Sequence, residues 1–312
     1  MSVETESRHP PASGVRISWD DVHPPVRSGV ERFLGGKVIE AATQHGGFSP
    51  GAAVRLRVDT GRRAFVKAVS PAQNDVAVRL YRAEARATAA LPEAAPAPRL
   101  LDTFELDDWV TLIFEDIDGR HPMNPWRRDE LDRVFAESER MPVMSASSGC
   151  AFPMIAEEFD SAFRGWRSLI DSDVSGLDPW ASRHLDGLVE LETGWAAAAA
   201  GDSLVHGDLR ADNILLTPDR VYFVDWAYPC VGAPWFDRLA MAPSIAMQGG
   251  PPPRELIADP DPAITRVVAA FAGFLVWQSR LPDPPGLPTV RSFQRAQGLI
   301  ALDWLRERTG WD

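Results

Sequence analysis

Several polar side chains in one stretch of this 312-residue chain stand at spacings that chemistry can use. The stretch is His206-Gly207-Asp208-Leu209-Arg210-Ala211-Asp212-Asn213, followed by Ile214-Leu215-Leu216, then Val221-Tyr222-Phe223-Val224, and then Asp225. Two short apolar runs joined by a turn predict a β-hairpin, which returns Asp225 to the side of Asn213. A carboxylate at Asp208 can accept a proton from an attacking hydroxyl. The Asn213 amide oxygen and the Asp225 carboxylate are hard oxygen donors of the kind magnesium takes. Asp and Asn also favour turns for structural reasons alone, which accounts well for Asp212 and Asp219. It accounts poorly for the joint spacing of His206, Asp208, Asn213 and Asp225. A hydrolytic metal site on His206 and Asp208 is disfavoured, because no further His stands at ligand spacing.

Phosphoryl transfer to a hydroxyl would also need something to hold the donor's phosphates. Lys67, at the end of the run AFVK, fits that need. It is one of two lysines, with Lys37, in a chain whose other basic residues are Arg. In the helical stretch 76–91, Glu84 stands where a carboxylate can pair with that ammonium and aim it; a solvated helix charge is the plainer alternative. One strand upstream, Gly46-Gly47-Phe48-Ser49-Pro50-Gly51 can bring backbone N–H groups close to phosphate, with Gly47, Phe48 and Ser49 as the candidate contacts.

These side chains need elements to position them. Residues 37–69 read as strand, Gly-rich turn, strand, hairpin turn and strand, with period-two alternation through AAVRLRV and AFVKAV. A short amphipathic helix precedes them, opened by Pro24-Pro25 and stopped by Gly35-Gly36. The Ala- and Arg-rich run 76–91 predicts a helix ended by Pro92, and LLDTFEL and WVTLIF predict a second strand pair turning at Asp107-Asp108. Beyond Asp118-Gly119, helical stretches at 127–140, 154–170, 178–200, 262–280 and 290–308 dominate, separated by Pro- and Gly-rich loops. The reading is α+β with two lobes. Residues 1–15 form a disordered tail, 16–117 a small β-rich lobe with one main helix, and 118–312 a larger, mostly helical lobe.

Composition narrows the partners. With 45% hydrophobic and 24% charged residues the chain is an ordinary globular one. A net charge of −12 and a pI near 5.0 disfavour nucleic acid and anionic lipid. No run reaches the roughly 18 apolar residues of a membrane span, and the start MSVETESRHPPASG lacks a signal pattern. A soluble cytoplasmic protein without membrane or nucleic-acid partners is expected. Cys150 and Cys230 match neither zinc nor paired-thiol spacing, which fits a reducing compartment and small buried side chains.

With these residues in view, the chain resembles the aminoglycoside phosphotransferase family, the kinase-like group that also includes choline kinases. The resemblance spans about 37 to 240 and is carried most specifically by HGDLRADNIL and VDWAYPCVGAPWFDRLA. It implies a bilobal protein-kinase-like fold that uses ATP and Mg2+, with the nucleotide in the smaller lobe. By that resemblance Asp208 is the catalytic base, Asn213 and Asp225 hold magnesium, and Lys67 with Glu84 forms the phosphate-binding ion pair. Phe114-Glu115-Asp116-Ile117 would be the hinge, hydrogen-bonding adenine through the backbone of Glu115 and Ile117. Asp237 would brace the catalytic loop through backbone hydrogen bonds. Arg210 takes the place of a kinase lysine and either neutralises charge on the transferring phosphoryl group or makes a surface ion pair. Gly207 departs from the Arg of protein kinases. Trp226 and Ala227 depart from the Phe and Gly of Asp-Phe-Gly, so activation-loop switching is not expected and Trp226 is read as core.

The acceptor implied is a small-molecule hydroxyl. The expectation is an aminoglycoside or another cationic antibiotic, with a role in resistance; an amino-alcohol or sugar kinase and an inactive nucleotide-binding scaffold are the alternatives. A protein kinase is disfavoured by the long helical segment 120–200 and the missing Asp-Phe-Gly and Ala-Pro-Glu signals. Asp129, Glu130, Asp132, Glu157, Glu158 and Asp160 are candidates to line a cationic pocket, against the plainer reading of solvated helix faces. Trp126, Trp166, Trp180 and Trp195 could flank a ligand, against the plainer reading of core.

Overall fold

The computed structural model describes residues 10, 12, 14–144 and 151–312. Most of the expected tail and Cys150 lie outside the described residues. Within residues 1–15, the Ala12 carbonyl accepts a hydrogen bond from the Gly47 N–H at 3.2 Å, and the Val15 N–H donates to the Gly286 carbonyl at 3.0 Å.

Alternating side chains build an antiparallel sheet from β1 (Val38–Thr43), β2 (Ala52–Val58), β3 (Arg63–Val69), β4 (Leu100–Leu106) and β5 (Trp109–Phe114), in the order β1-β2-β3-β5-β4. The period of two decides which face each side chain serves. Ala64, Val66 and Ala68 join Trp109 and Ile113 under helix α1 (Pro24–Leu34), which buries Val26, Val30 and Leu34. On the opposite face, Val69, Val110, Leu112 and Phe114 pack against Val78, Tyr81 and Ala85 of helix α2 (Asp75–Ala90). Parity places Lys67 on the α2 face, and a one-residue slip of register would send it under α1. The Asn74 side chain caps α2 by accepting from the Ala77 N–H at 2.8 Å, and Asp107 and Asp108 make the β4–β5 turn with φ of 47° and 65°.

The remainder is mostly helical. It runs through α3 (Arg128–Ser138), α4 (Ile155–Phe159), α5 (Gly165–Ile170), α6 (Pro179–Arg183), α7 (Leu185–Thr193) and α8 (Trp195–Ala198). Four short strands follow, β6 (Ser203–Val205), β7 (Ile214–Leu216), β8 (Val221–Phe223) and β9 (Cys230–Gly232), pairing β7 with β8 and β6 with β9. The chain closes with α9 (Phe236–Met247), α10 (Pro253–Leu256), α11 (Pro262–Gln278) and α12 (Val290–Thr309). One hydrophobic cluster runs from Trp166, Trp195 and Trp226 to α11 and α12. The architecture is α+β. Backbone hydrogen bonds between Arg120 and Leu216, at 2.7 and 3.1 Å, and from the Phe223 N–H to the Pro96 carbonyl at 2.6 Å, tie the β7–β8 hairpin to the segments flanking the sheet. Among the described residues no helix is long and apolar enough to cross a membrane.

The expected continuous helices over 154–170 and 178–200 are instead broken, at 160–164 and around His184 and Gly194. The first break has a packing cause. A Cβ on Gly165 would lie 2.0 Å from the Gly273 carbonyl oxygen, so α5 meets α11 backbone to backbone. The buried Glu192 carboxylate then caps α5, accepting from the N–H groups of Trp166 at 2.8 Å and Arg167 at 3.2 Å. Helix α9 has no counterpart in the expected elements because it contains Pro243, a residue that ordinarily argues against a helix interior.

Gly165→Ala should force α5 off α11 and cost about 1–3 kcal/mol of stability. Urea unfolding reads this as a lower midpoint at unchanged slope, and a midpoint equal to wild type would contradict the backbone contact.

Candidate active site

A cleft of about 320 Å³ opens between the sheet and the β7–β8 hairpin. At its centre the buried Lys67 Nζ donates to Glu84 Oε2 at 2.6 Å and to Asp225 Oδ1 at 3.0 Å, with the Tyr81 ring centroid 5.2 Å away. Glu84 reaches this point because residues 77, 81, 84, 85 and 88 share the sheet-facing side of α2. Burial alone would lower the lysine pKa, but Asp225 and then Glu84 reverse the sign and hold it above its ordinary value. Burial pushes Glu84 up to about 7 in spite of Lys67. Burial would raise Asp225 too, yet Lys67 holds it below the usual carboxylate range.

Strand β6 delivers the loop that follows. The buried Asp237 carboxylate, in the first turn of α9, accepts from the His206 N–H at 2.7 Å and the Gly207 N–H at 2.9 Å. This is the bracing expected of Asp237. Burial lifts its pKa to about 6 against those two hydrogen bonds. His206 is held neutral, burial taking it down to about 4. Its Nε2–H donates to the Val224 carbonyl at 2.9 Å, while Nδ1 accepts from the Asp208 N–H at 3.3 Å, a network that requires this tautomer. Gly207 has φ +81°, and a Cβ there would fall 2.4 Å from the Tyr228 carbonyl oxygen. That close approach explains why this position departs from the Arg of protein kinases.

The Asp208 side chain keeps 34% of its surface exposed, yet its enclosure pushes the carboxyl up to about 7, against the pull of Arg210. Asn213 Nδ2 donates to the Asp208 backbone carbonyl at 2.8 Å and to its carboxylate at 3.4 Å, and among the described residues Asn213 Oδ1 has no hydrogen-bond partner. Asp225 occupies the left-handed region at φ 68°, a conformation that costs a non-glycine residue of the order of 1–3 kcal/mol and often marks a functional site. Asn213 Oδ1 and the Asp225 carboxylate are two hard oxygens on one cleft, a donor set that fits magnesium when phosphate and water complete the shell.

Lys67, Glu84, Gly47, Phe114, Glu115, Ile117, Asn213 and Asp225 all line this cleft. Glu115 donates its N–H to the Arg99 carbonyl at 3.0 Å, whereas its own carbonyl and the Ile117 N–H have no hydrogen bond to the described chain. Phe48, Ser49, Asp208 and Arg210 instead line a second cavity of about 550 Å³, and Asp225 borders both. Ser49 still reaches Asp225, its hydroxyl donating at 3.3 Å. Arg210 is not a surface ion pair. Its Nε and Nη2 fork onto Asp212 at 3.1 Å each, its Nη1 bonds Asp208, and Phe48 lies 5.6 Å beneath it.

The sequence reading missed Arg16, which lines the cleft and holds the glycine loop through the carbonyls of Gly46, at 2.7 Å, and Ser49. Residue 16 belongs to a stretch without periodicity, so no local signal marks it. Asp212, read as a turn residue, is the anchor of Arg210. Five of the six acidic candidates are engaged elsewhere: Asp129 with Arg127, Asp132 with Arg128, Asp160 with Arg164, Glu130 with Arg120 and the Met123 N–H, and Glu157 with the Met154 N–H. Glu158 lines the second cavity. The four tryptophan candidates are buried in the core, and neither cavity includes them; Trp226 is buried as well and borders the first cleft.

Gly207→Ala should displace the loop bearing Asp208. Unfolding should show a loss of more than about 1 kcal/mol, because alanine meets both the positive φ and the Tyr228 carbonyl. Wild-type stability in that variant would contradict the close approach.

Comparison with known proteins places the chain. Among solved structures, a thermostable mutant of aminoglycoside phosphotransferase APH(4)-Ia in complex with ADP and hygromycin B is 15% identical, with a TM-score of 0.59, covering 92% of this chain and 99% of that one. A second form of the same enzyme, with AMP-PNP and hygromycin B, gives 15% identity and 0.60 over 93% and 100%. A choline/ethanolamine kinase family protein from Mesorhizobium loti gives 18% identity and 0.60 over 91% and 98%. These likenesses establish a shared kinase-like fold. No curated relative matches the chain in sequence. The profile of the phosphotransferase enzyme family, APH, matches residues 46–266. With that match covering most of its length, the chain belongs to the phosphotransferase enzyme family.

Proposed function

We propose that the protein transfers the γ-phosphoryl group of ATP to the hydroxyl of a small molecule. The observation that carries this reading is the junction of the two cavities: Asp225 borders both, and Asn213 in the first is hydrogen-bonded at 2.8 Å to Asp208 in the second. Donor and acceptor chambers thus share a wall built of a base, hard oxygens and a guanidinium. Residues 16–117 form the nucleotide lobe and 118–312 the lobe with the catalytic loop and the acceptor cavity. The enzyme works in the cytoplasm, where its phosphoryl donor is available.

In this mechanism the free Glu115 carbonyl and Ile117 N–H receive the adenine edge, and the glycine loop at Gly47 with Lys67 holds the phosphates. Asn213 and Asp225 would hold magnesium, which supplies charge neutralisation on those phosphates. Among the described residues no group of three acidic, His or Cys side chains could bind a metal alone, in keeping with an ion that arrives with the nucleotide. Asp208 takes the proton of the acceptor hydroxyl as its oxygen bonds to the γ-phosphorus and the bond to the bridging oxygen breaks, releasing ADP. Arg210, steadied by Asp212, faces the transferring group. The solved relatives with ADP or AMP-PNP and hygromycin B support a nucleotide and a small-molecule acceptor.

ADP release from ATP, with and without magnesium, across hydroxylated compounds tests the proposal. Asp208→Asn should lower kcat by about 10²–10⁴ with little change in ATP affinity, and undiminished turnover would remove Asp208 from the mechanism. Lys67→Ala should weaken ATP binding. Nucleotide binding by wild type without turnover on any acceptor would favour an inactive scaffold.

Because enclosure raises the Asp208 carboxyl to about 7 in the metal-free site, its ionisation followed by NMR without magnesium should fall as pH drops through neutrality. A profile flat from about pH 6 to pH 8 would contradict that shift.

A further inference from the structure

The second cavity deepens the kinase reading, on which this inference rests, by restricting the hydroxyl compounds it can accept. Its walls come from α2, α4, α9, α11, α12, the glycine loop, the loop bearing Asp208 and the segment from Asp225 to Tyr228. Phe159 stacks on Phe163 at 5.5 Å and on Phe236 at 5.7 Å, and Phe163 packs against Phe271 and Phe274 at 6.2 and 6.1 Å. Phe48 closes the cavity edge-on against Phe293, with ring centroids 5.1 Å apart. Phe163, Phe236 and Phe293 are buried behind this surface, and the half-buried Phe48, Phe159, Phe271 and Phe274 can remove apolar ligand surface from water and meet a cation.

Two polar side chains in this lining stand out. Gln297, on α12, is only 4% exposed, and its amide has no hydrogen-bond partner among the described residues. Its neighbour Gln294 differs, since Gln294 Oε1 already accepts from Arg291 Nη1 at 2.8 Å. The Glu158 carboxylate on α4 has neither ion pair nor hydrogen bond among the described residues, and burial raises its pKa above the ordinary value. The Gln297 amide is not sealed off from the cavity, so a ligand that fills this space and expels water would have to supply its hydrogen bond.

We infer that the acceptor is a bulky, predominantly apolar alcohol with one cationic nitrogen opposite Glu158 and one hydrogen-bonding group opposite Gln297. A polycationic aminoglycoside would bring several ammonium groups to a cavity whose one uncommitted carboxylate among the described residues is Glu158, because Asp225 pairs with Lys67 and Asp208 is reserved for the hydroxyl proton. A small amino alcohol would leave most of the phenylalanine wall unfilled. At about 550 Å³ the cavity matches a drug-sized compound.

The test measures magnesium-dependent ADP release and calorimetric binding with four probes. These are an aryl-alkyl tertiary amino alcohol bearing one ether oxygen, its analogue with carbon in place of nitrogen, choline, and hygromycin B. The aryl-alkyl amine should have the highest kcat/KM, gaining about fourfold per added methylene until the cavity fills. Glu158→Gln should raise KM for the amine about tenfold, and by less for its carbon analogue. Gln297→Leu should raise KM for both. Preference for hygromycin B or choline, or unaltered KM in both variants, would overturn the inference. If nothing releases ADP, binding of the aryl-alkyl amine with the same dependence on Glu158 upholds the pocket chemistry while removing the kinase reading. Failure of the aryl-alkyl amine to bind removes the pocket chemistry itself.

Discussion

Lys67 carries its ammonium into a place where burial alone would discharge it, and carboxylates at 2.6 and 3.0 Å keep it charged. One belongs to α2 and the other follows the β7–β8 hairpin, so sheet, helix and hairpin converge on a single atom. Removing either carboxylate would leave the charge undercompensated in a buried place, a strongly destabilising change for such pairs. The geometry therefore constrains more than the triad. It sets the register of β3, the rotation of α2 about its axis, and the depth at which the hairpin docks beneath the sheet.

A second device recurs wherever a loop must be rigid. Asp237 accepts two successive backbone N–H groups at the catalytic loop, and Glu192 does the same at the start of α5. Glu130 holds the Met123 N–H at 2.7 Å. Each is a buried carboxylate that replaces lost water with backbone donors, a strong charge-assisted arrangement. The loop bearing Asp208 is thus held by its backbone at Asp237 and by the buried side chains of His206 and Leu209, while the Asp208 carboxylate stays open to the second cavity.

How much of this was legible in the sequence depends on the range of the interactions. The β7–β8 hairpin, the face chosen by Lys67 and the inward side of α2 follow from periods of two and 3.6 read over a few residues. The hairpin returned Asp225 to Asn213 for that reason, while Asp208 and Asn213 were legible from their spacing and from the family resemblance of HGDLRADNIL. The second cavity was not, because Phe159, Phe236, Phe271 and Phe293 lie on four helices far apart in sequence, and only tertiary packing brings them together. The same holds for Phe48, whose ring follows Phe293 rather than the loop's own glycines. The acidic candidates on the helical segments were indistinguishable in sequence. Most find an arginine or a backbone N–H nearby, and Glu158 differs in having no such partner.

Charge balance around the cleft links these points. Among the described residues, Glu84, Asp208, Asp212 and Asp225 have Lys67, Arg210 and Arg16 as their nearby cations, while Arg55 and Arg120, which also line the cleft, pair with Asp116 and Glu130. Each of these cations is already committed: Lys67 to Glu84 and Asp225, Arg210 to Asp208 and Asp212, Arg16 to backbone carbonyls. A polyphosphate entering alone would add negative charge to a place where burial already raises the pKa values of Glu84 and Asp208, with Asp225 adding to both shifts. Under the proposed function, Asp225 and Asn213 Oδ1 would hold a divalent cation that arrives with it and supplies the missing positive charge. The Lys67–Asp225 contact at 3.0 Å would then be the one to yield to the nucleotide, and Lys67–Glu84 at 2.6 Å would remain to aim the lysine.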